Sequence, residues 1–211
     1  MTEDKNNEIA SSIKVTLLGD SGVGKTCIIK RYTEKRFDSD VASTPGASYS
    51  QKFLEINNKN IQLDIWDTAG QEQYRALGIH FYKDAFIVCL VYDITCRQTF
   101  DNLDNWYSDL KKYGEKYTIT AVVGNKSDCY ENEEVKEEEA REFAKKINSS
   151  FFLCSAKNGE GVDLIFKSLV EEYLGPEFTE KVRLTIAEKG KTEKIVMETK
   201  ESKKEKKKFH C

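Results

Sequence analysis

Eight consecutive residues, Gly19-Asp-Ser-Gly-Val-Gly24-Lys25-Thr26, fit the pattern G-x-x-x-x-G-K-[ST]. Glycines in such a loop let the backbone N–H groups from Ser21, Gly22, Val23 and Gly24 through Lys25, Thr26 and Cys27 wrap a phosphate. The Lys25 ammonium is a point charge for β and γ oxygens, and the Thr26 hydroxyl can ligate magnesium. The motif by itself leaves ATPases, kinases and GTPases open. Further along, Asn125-Lys126-Ser127-Asp128 follows an apolar stretch. A carboxylate at Asp128 can accept from both N1–H and the 2-amino group of guanine, whereas adenine presents no such donor pair. The wrong base would leave a charge unpaired. Ser155-Ala156-Lys157 follows another apolar stretch, where the Ala156 N–H can address guanine O6.

Two more pieces bear on the transferred phosphate. Asp67-Thr-Ala-Gly70-Gln71 supplies a carboxylate that can hold magnesium through a water. It also supplies an N–H at Gly70 to sense a γ-phosphate and a Gln71 amide to orient an attacking water. Thr44 lies 18 residues after Thr26, in a stretch with no periodic signal, and can give magnesium a second hydroxyl when the γ-phosphate is present.

These groups need a scaffold that brings them to one edge. Ile13 to Leu18 is a short β-branched run leading straight into the glycine loop, and Lys25 to Lys35 reads as a helix. Ser48 to Ile56 and Ile61 to Trp66 alternate in polarity around Asn57-Asn58-Lys59-Asn60, a hairpin signal. Ala85 to Tyr92, Thr118 to Val123 and Ser150 to Cys154 read as buried strands. Thr99 to Tyr113, Glu134 to Ile147 and Gly161 to Tyr173 read as helices between them. Strands alternating with helices predict an α/β fold: a six-stranded, mainly parallel sheet with one antiparallel edge strand and about five helices. Ligands bind such sheets beyond the carboxyl ends of the strands, which is where each motif falls.

The chain has 211 residues, enough for one domain over residues 12–175 with a short segment 1–11 before it and a tail 176–211 after it. The formal net charge is −3, against a nucleic-acid binder by gross electrostatics, but the tail alone carries net +4. Six cysteines show no C-x-x-C pair, so zinc and a disulfide framework are not expected and a reducing compartment fits. The polar, acidic stretch from Met1 to Ile9 is no signal peptide, and Thr2 rules out N-myristoylation. The longest apolar run, Ala85 to Tyr92, is far short of the roughly 20 residues a membrane span needs. A cytoplasmic, monomeric body is expected.

The ordered set GDSGVGKT, Thr44, WDTAGQE, NKSD and CSAK resembles the nucleotide-binding motifs of the Ras-like small GTPases, over residues 12 to 175. The resemblance implies a G domain that binds GTP or GDP with magnesium. Thr26 and Thr44 would be metal ligands, with Asp67 acting through water. The same alignment puts Phe37 where an aromatic ring stacks on guanine. Trp66 before DTAGQ, Phe81 to Ala85 and Leu90-Val-Tyr-Asp-Ile-Thr95 resemble the Rab branch, and Gly46-Ala-Ser-Tyr49 resembles endosomal Rabs. That branch would present Tyr49, Trp66 and Phe81 to effectors.

The resemblance implies a switch in vesicular traffic. It would hydrolyse GTP slowly, with Lys25 and Gln71 catalytic, and with effectors of the GTP form, an exchange factor and a GTPase-activating protein as partners. A GTP-binding scaffold with negligible hydrolysis is the alternative. Pro45 departs from the aliphatic residue usual after the switch threonine, and Ser21 stands where Ras proteins carry glycine. A lone final Cys211 replaces the usual double cysteine or C-a-a-X ending. As a single lipidation site behind Lys203 to Lys208, it implies peripheral attachment to the anionic cytosolic face of an intracellular, endosomal-type membrane, and extraction by a prenyl-dependent chaperone.

Overall fold

A computed structural model describes residues 11–39, 44, 46–56, 58–69, 81–176 and 179–180. In chain order the elements are β1 (Ser11–Leu18), α1 (Lys25–Glu34), β2 (Ala47–Ile56), β3 (Lys59–Thr68), β4 (Ile87–Asp93), α2 (Arg97–Asp101) and α3 (Leu103–Tyr113). Then come β5 (Ile119–Asn125), a 3₁₀ turn (Ser127–Asn132), α4 (Glu137–Lys146), β6 (Ser150–Leu153) and α5 (Val162–Leu174). The six strands form one sheet in the order β2-β3-β1-β4-β5-β6. β2 runs antiparallel to β3, and every other neighbour is parallel. The expected class, a six-stranded, mainly parallel α/β sheet with about five helices, is the observed one, with five α-helices named among the described residues.

Burial explains the strand sequences. Every residue of β4 is buried, which is why it is a continuous apolar run rather than an alternating one. β2 lies at the edge and alternates along its exposed length. Under the sheet, Tyr32 of α1 stacks on Phe166 of α5 with ring centroids 3.9 Å apart. On the other side, Leu90, Tyr92, Phe100, Leu103, Trp106 and Val122 belong to one buried cluster. Each such large apolar side chain contributes about 1.5–3 kcal/mol by leaving water.

Several boundaries shift from the sequence reading. Ile56 pairs directly with Lys59, so β3 starts two residues before the expected Ile61, and Asn58 lies in the left-handed region at φ 59°. The helix expected over Thr99 to Tyr113 begins at Arg97 and is interrupted at Asn102, whose side chain bonds the side chains of Asp20 and Gln98. Glu134 and Val135 donate their N–H groups to the Ile94 carbonyl, which delays α4 to Glu137. The 3₁₀ turn had no periodic signal at all.

Backbone contacts group Met1–Glu172 as one unit and Tyr173–Cys211 as a second. In the second, Thr179 N–H and Oγ1 both donate to the Gly175 carbonyl.

Candidate functional site

The parallel strands β1, β4, β5 and β6 and the edge pair β2–β3 end their site-bearing residues at one rim, and a cavity of about 430 Å³ opens there. Of the residues expected to hold nucleotide, Ser21, Gly22, Gly24, Lys25, Thr26, Cys27, Phe37 and Thr44 line it on one side. Asn125, Lys126, Asp128, Ala156 and Lys157 line it on the other. Val23 and Ser155 are fully buried behind the wall. Gly70 and Gln71 lie outside the described residues, as do Pro45 and Cys211.

The glycine loop joins β1 to α1. Gly19 has φ 144°, and a Cβ there would sit 2.1 Å from the Val91 carbonyl oxygen of β4. Gly24 has φ 94° and caps α1, where a Cβ would meet Asn125 Nδ2 at 2.3 Å. Both positions therefore exclude side chains by contact as well as by backbone. α1 starts with no side-chain cap and no acid in its first turn, leaving its partial positive end to an anion. Lys25 is 6% exposed, and its Nζ donates to the carbonyls of Gly19 at 2.7 Å and Asp20 at 2.8 Å. Burial pulls its pKa down to about 8, against the opposing charges of Asp67 and Asp20.

Three oxygens cluster beside it. Thr26 Oγ1 donates to Asp67 Oδ2 at 2.7 Å, and Thr44 Oγ1 does so at 3.1 Å. The two hydroxyls are 3.0 Å apart. Asp67 is 2% exposed, and its Oδ1 is buried with no hydrogen-bond partner among the described residues. Burial raises its pKa, with the Thr26 bond and Lys25 charge opposing. A buried carboxylate with an orphaned oxygen beside two hydroxyls suits a hard divalent cation, which prefers oxygen ligands. The donor set therefore fits magnesium. Thr26, Thr44 and Asp67 would hold it, and its charge would neutralise developing negative charge on phosphate oxygens.

The opposite wall is tied together by its own side chains. Ser155 Oγ donates to Asp128 Oδ1 at 2.6 Å, and Lys157 Nζ lies 3.6 Å from Oδ2. Partial desolvation of Asp128 is outweighed by the Ser155 bond and its other donors, so the carboxyl stays below its usual range and ionised. Asn125 is 2% exposed and acts as a strut. Its Nδ2 donates to the Val23 carbonyl at 2.8 Å, and its Oδ1 accepts from the Ala156 N–H at 3.1 Å. The Ala156 N–H assigned to guanine O6 is thus engaged by Asn125 here, and it addresses a base only by sharing that bond. Phe37, half-buried, contributes an aromatic wall.

Two residues that brace this wall were given no site role by the sequence reading. Asp93, 6% exposed at the end of β4, pairs with Lys126 Nζ at 2.5 Å and accepts from Thr95 N and Oγ1. On sequence it sits at the end of an apolar strand, within the Leu90 to Thr95 run that resembles the Rab branch, with no cue that it pairs with Lys126. Arg31 of α1 donates from Nε to the Ala156 carbonyl at 2.8 Å, from Nη2 to the Lys157 carbonyl and from Nη1 to the Lys35 carbonyl at 3.1 Å. On sequence it reads as one more charged residue on a helix surface.

Away from the cavity, Tyr49 and Trp66 are register partners across β2–β3, with centroids 5.4 Å apart, and Trp66 lies 5.6 Å from Phe81. The three aromatics are contiguous, and Tyr49 is 49% exposed. Asp64 gathers donors from Ser12, Tyr49 and Gln62, which fixes the Tyr49 ring. No helix among the described residues is long and apolar enough to cross a membrane.

The chain as a whole is similar to known proteins. A family model described as the Ras family matches residues 14–175. The Ras-related protein RABA4a of Arabidopsis thaliana is 39% identical over 169 residues, covering 80% of this chain and 75% of that protein. The Ras-related protein SEC4 of Candida albicans is 37% identical over 171 residues, covering 77% and 81%. The Ras-related protein Rab-18 of Lymnaea stagnalis is 39% identical over 171 residues, covering 81% and 84%. The chain belongs to the Ras family, in its Rab branch. It is a small GTPase that binds guanine nucleotide, with the regulators and effectors that this family has in general.

Proposed function

We propose that this protein is a Rab-like switch of vesicular membrane traffic that hydrolyses GTP to GDP and phosphate by in-line attack of water. The observation that carries the reading is one cavity lined at one end by Lys25 and by Thr26, itself bonded to Asp67, and at the other by an ionised Asp128. In this reading the loop amides and Lys25 bind the phosphates and hold negative charge as it builds up. Asp128 accepts from the guanine edge, and Ser155 and Lys157 keep its carboxylate oriented. Gln71 orients the water. Magnesium held at Thr26, Thr44 and Asp67 supplies electrostatic stabilisation of the phosphate oxygens.

The GTP form orders the segments around Thr44 and Gln71 and recruits effectors through Tyr49, Trp66 and Phe81. The GDP form releases them. An exchange factor reloads the protein, and an activating protein supplies positive charge in trans. Residues 176–211 form a basic tail lipidated at Cys211. One lipid chain binds a membrane marginally, and Lys203, Lys204, Lys206, Lys207 and Lys208 add attraction to an anionic leaflet. That combination permits extraction by a soluble chaperone. Intact mass of the protein from its native cell reads Cys211 directly, and an unmodified mass would remove the anchor.

The decisive experiment concerns the base. Asp128→Asn replaces an acceptor by a donor and should reverse the preference between GDP and XDP by about a hundredfold or more in competition binding. If the ratio stays within threefold of the parent's, the base site lies elsewhere and the reading falls.

A further inference from the structure

An aspartate at the second position of a phosphate-binding loop is an electrostatic contradiction, because it places an anion where anions must bind. The structure shows where that charge goes. Asp20 Oδ2 accepts from Asn102 Nδ2 at 2.6 Å, and Oδ1 accepts from Trp106 Nε1 at 2.8 Å. Both carboxylate oxygens thus point away from the cavity, and Asp20 does not line it. Asn102 and Trp106 are four residues apart, on one helical face, at the break between α2 and α3. The amide of Asn102 is itself oriented, since its Oδ1 accepts from Gln98 Nε2 at 3.1 Å. Trp106 is 6% exposed and belongs to the buried cluster under β4 and β5, so its indole N–H is a fixed donor.

The main chain of the same residue faces the other way. The Asp20 carbonyl accepts from Lys25 Nζ at 2.8 Å, beside the Gly19 carbonyl at 2.7 Å. Gly22 has a positive φ, and a Cβ there would meet nothing within 4 Å, so this residue itself packs against nothing, while the next, Val23, is buried and held by Asn125. One residue therefore joins the α2–α3 break, through its side chain, to the phosphate-binding lysine, through its backbone.

We propose that Asp20 is a positioning residue: its carboxylate, clamped by Asn102 and Trp106, fixes the peptide that orients Lys25 and so sets how tightly the loop holds the phosphates. The inference rests on the nucleotide site proposed above and goes beyond it, because no motif includes Asn102 or Trp106.

The test compares GDP dissociation rates of Asp20→Ala, Trp106→Phe and the double variant with the parent, using full-length protein with magnesium. Asp20→Ala should release GDP about tenfold faster, and Trp106→Phe several-fold faster. The double variant should be no faster than Asp20→Ala, because both remove one linkage. The GDP-to-XDP preference should stay at the parent value in all three, since Asp128 is untouched; a general loosening of the fold would lower it as well. Should Trp106→Phe fail to fold, Asn102→Ala removes the other donor and should raise the rate in the same direction. Additive effects, or rates within twofold of the parent in every variant, would overturn the proposal while leaving the nucleotide site standing. A parent that binds no GDP would overturn both.

Discussion

The two ends of the cavity are built on opposite principles. At the base end the side chains and backbone groups facing the cavity are tied to partners from the chain itself at Asn125, Lys126, Asp128 and Ala156. Asp128 is held by Ser155, Lys126 by Asp93, and the Ala156 peptide by Asn125 on its N–H and Arg31 on its carbonyl. At the phosphate end the partners are makeshift. Lys25 rests on two carbonyls of its own loop, both threonine hydroxyls crowd one oxygen of Asp67, and the other oxygen has none among the described residues. A buried polar group left short of partners costs about 1–3 kcal/mol, so the phosphate end gains most from its ligand. The base end, being fixed in advance, loses least on binding and discriminates most. A switch needs this division, since it must hold one base throughout while responding to the loss of one phosphate.

Three measurements press on that contrast, beginning with the largest. Lys25→Ala should weaken GDP binding by at least about a hundredfold, because it strips a desolvated charge from its anionic partner, worth roughly 2–5 kcal/mol. It should leave the GDP-to-XDP ratio unchanged. An affinity within tenfold of the parent would mean the phosphate end does not dominate.

Arg31→Ala attacks the other end from behind. Losing its bonds to the Ala156, Lys157 and Lys35 carbonyls should cost about 1–2 kcal/mol and raise the GDP dissociation rate about tenfold. Here discrimination should suffer too, with the GDP-to-XDP ratio falling several-fold. An unchanged ratio would show that the guanine loop keeps its shape without the clamp.

The smallest effect is a proton. With its folded pKa depressed to about 8, Lys25 binds fewer protons in the folded, ligand-free protein than when unfolded between pH 8 and 10.5. Stability of that state from this group therefore rises with pH across this window, and the penalty is fully present below pH 8. A bound phosphate raises the pKa again, so GDP binding at pH 8.5 should take up a fraction of a proton. Calorimetry in buffers of different ionisation enthalpy measures it. Zero uptake at that pH would separate Lys25 from the phosphates.

Much of the site was legible in the sequence because its chemistry is local. A phosphate cradle needs glycines and a lysine within eight residues, and a strand end is marked by where an apolar run stops. Gly19 to Thr26, Asp67, Asn125 to Asp128 and Ser155 to Lys157 could therefore be read as residue types in order, and the alternation of strands and helices implied the sheet that lines them up. The residues that hold the motifs in place were not legible in that way. Arg31 meets Ala156 across 125 positions, and Asp20 meets Trp106 across 86. Asp93 reaches Lys126 only because β4 and β5 are neighbours in the sheet. None of these partners has a spacing that sequence could display, and each looks like an ordinary charged or aromatic residue of its own element. Local order determined which groups do the chemistry. The packing of distant elements decided how firmly each is held, because a hydrogen bond depends on distance in space and angle rather than on separation along the chain.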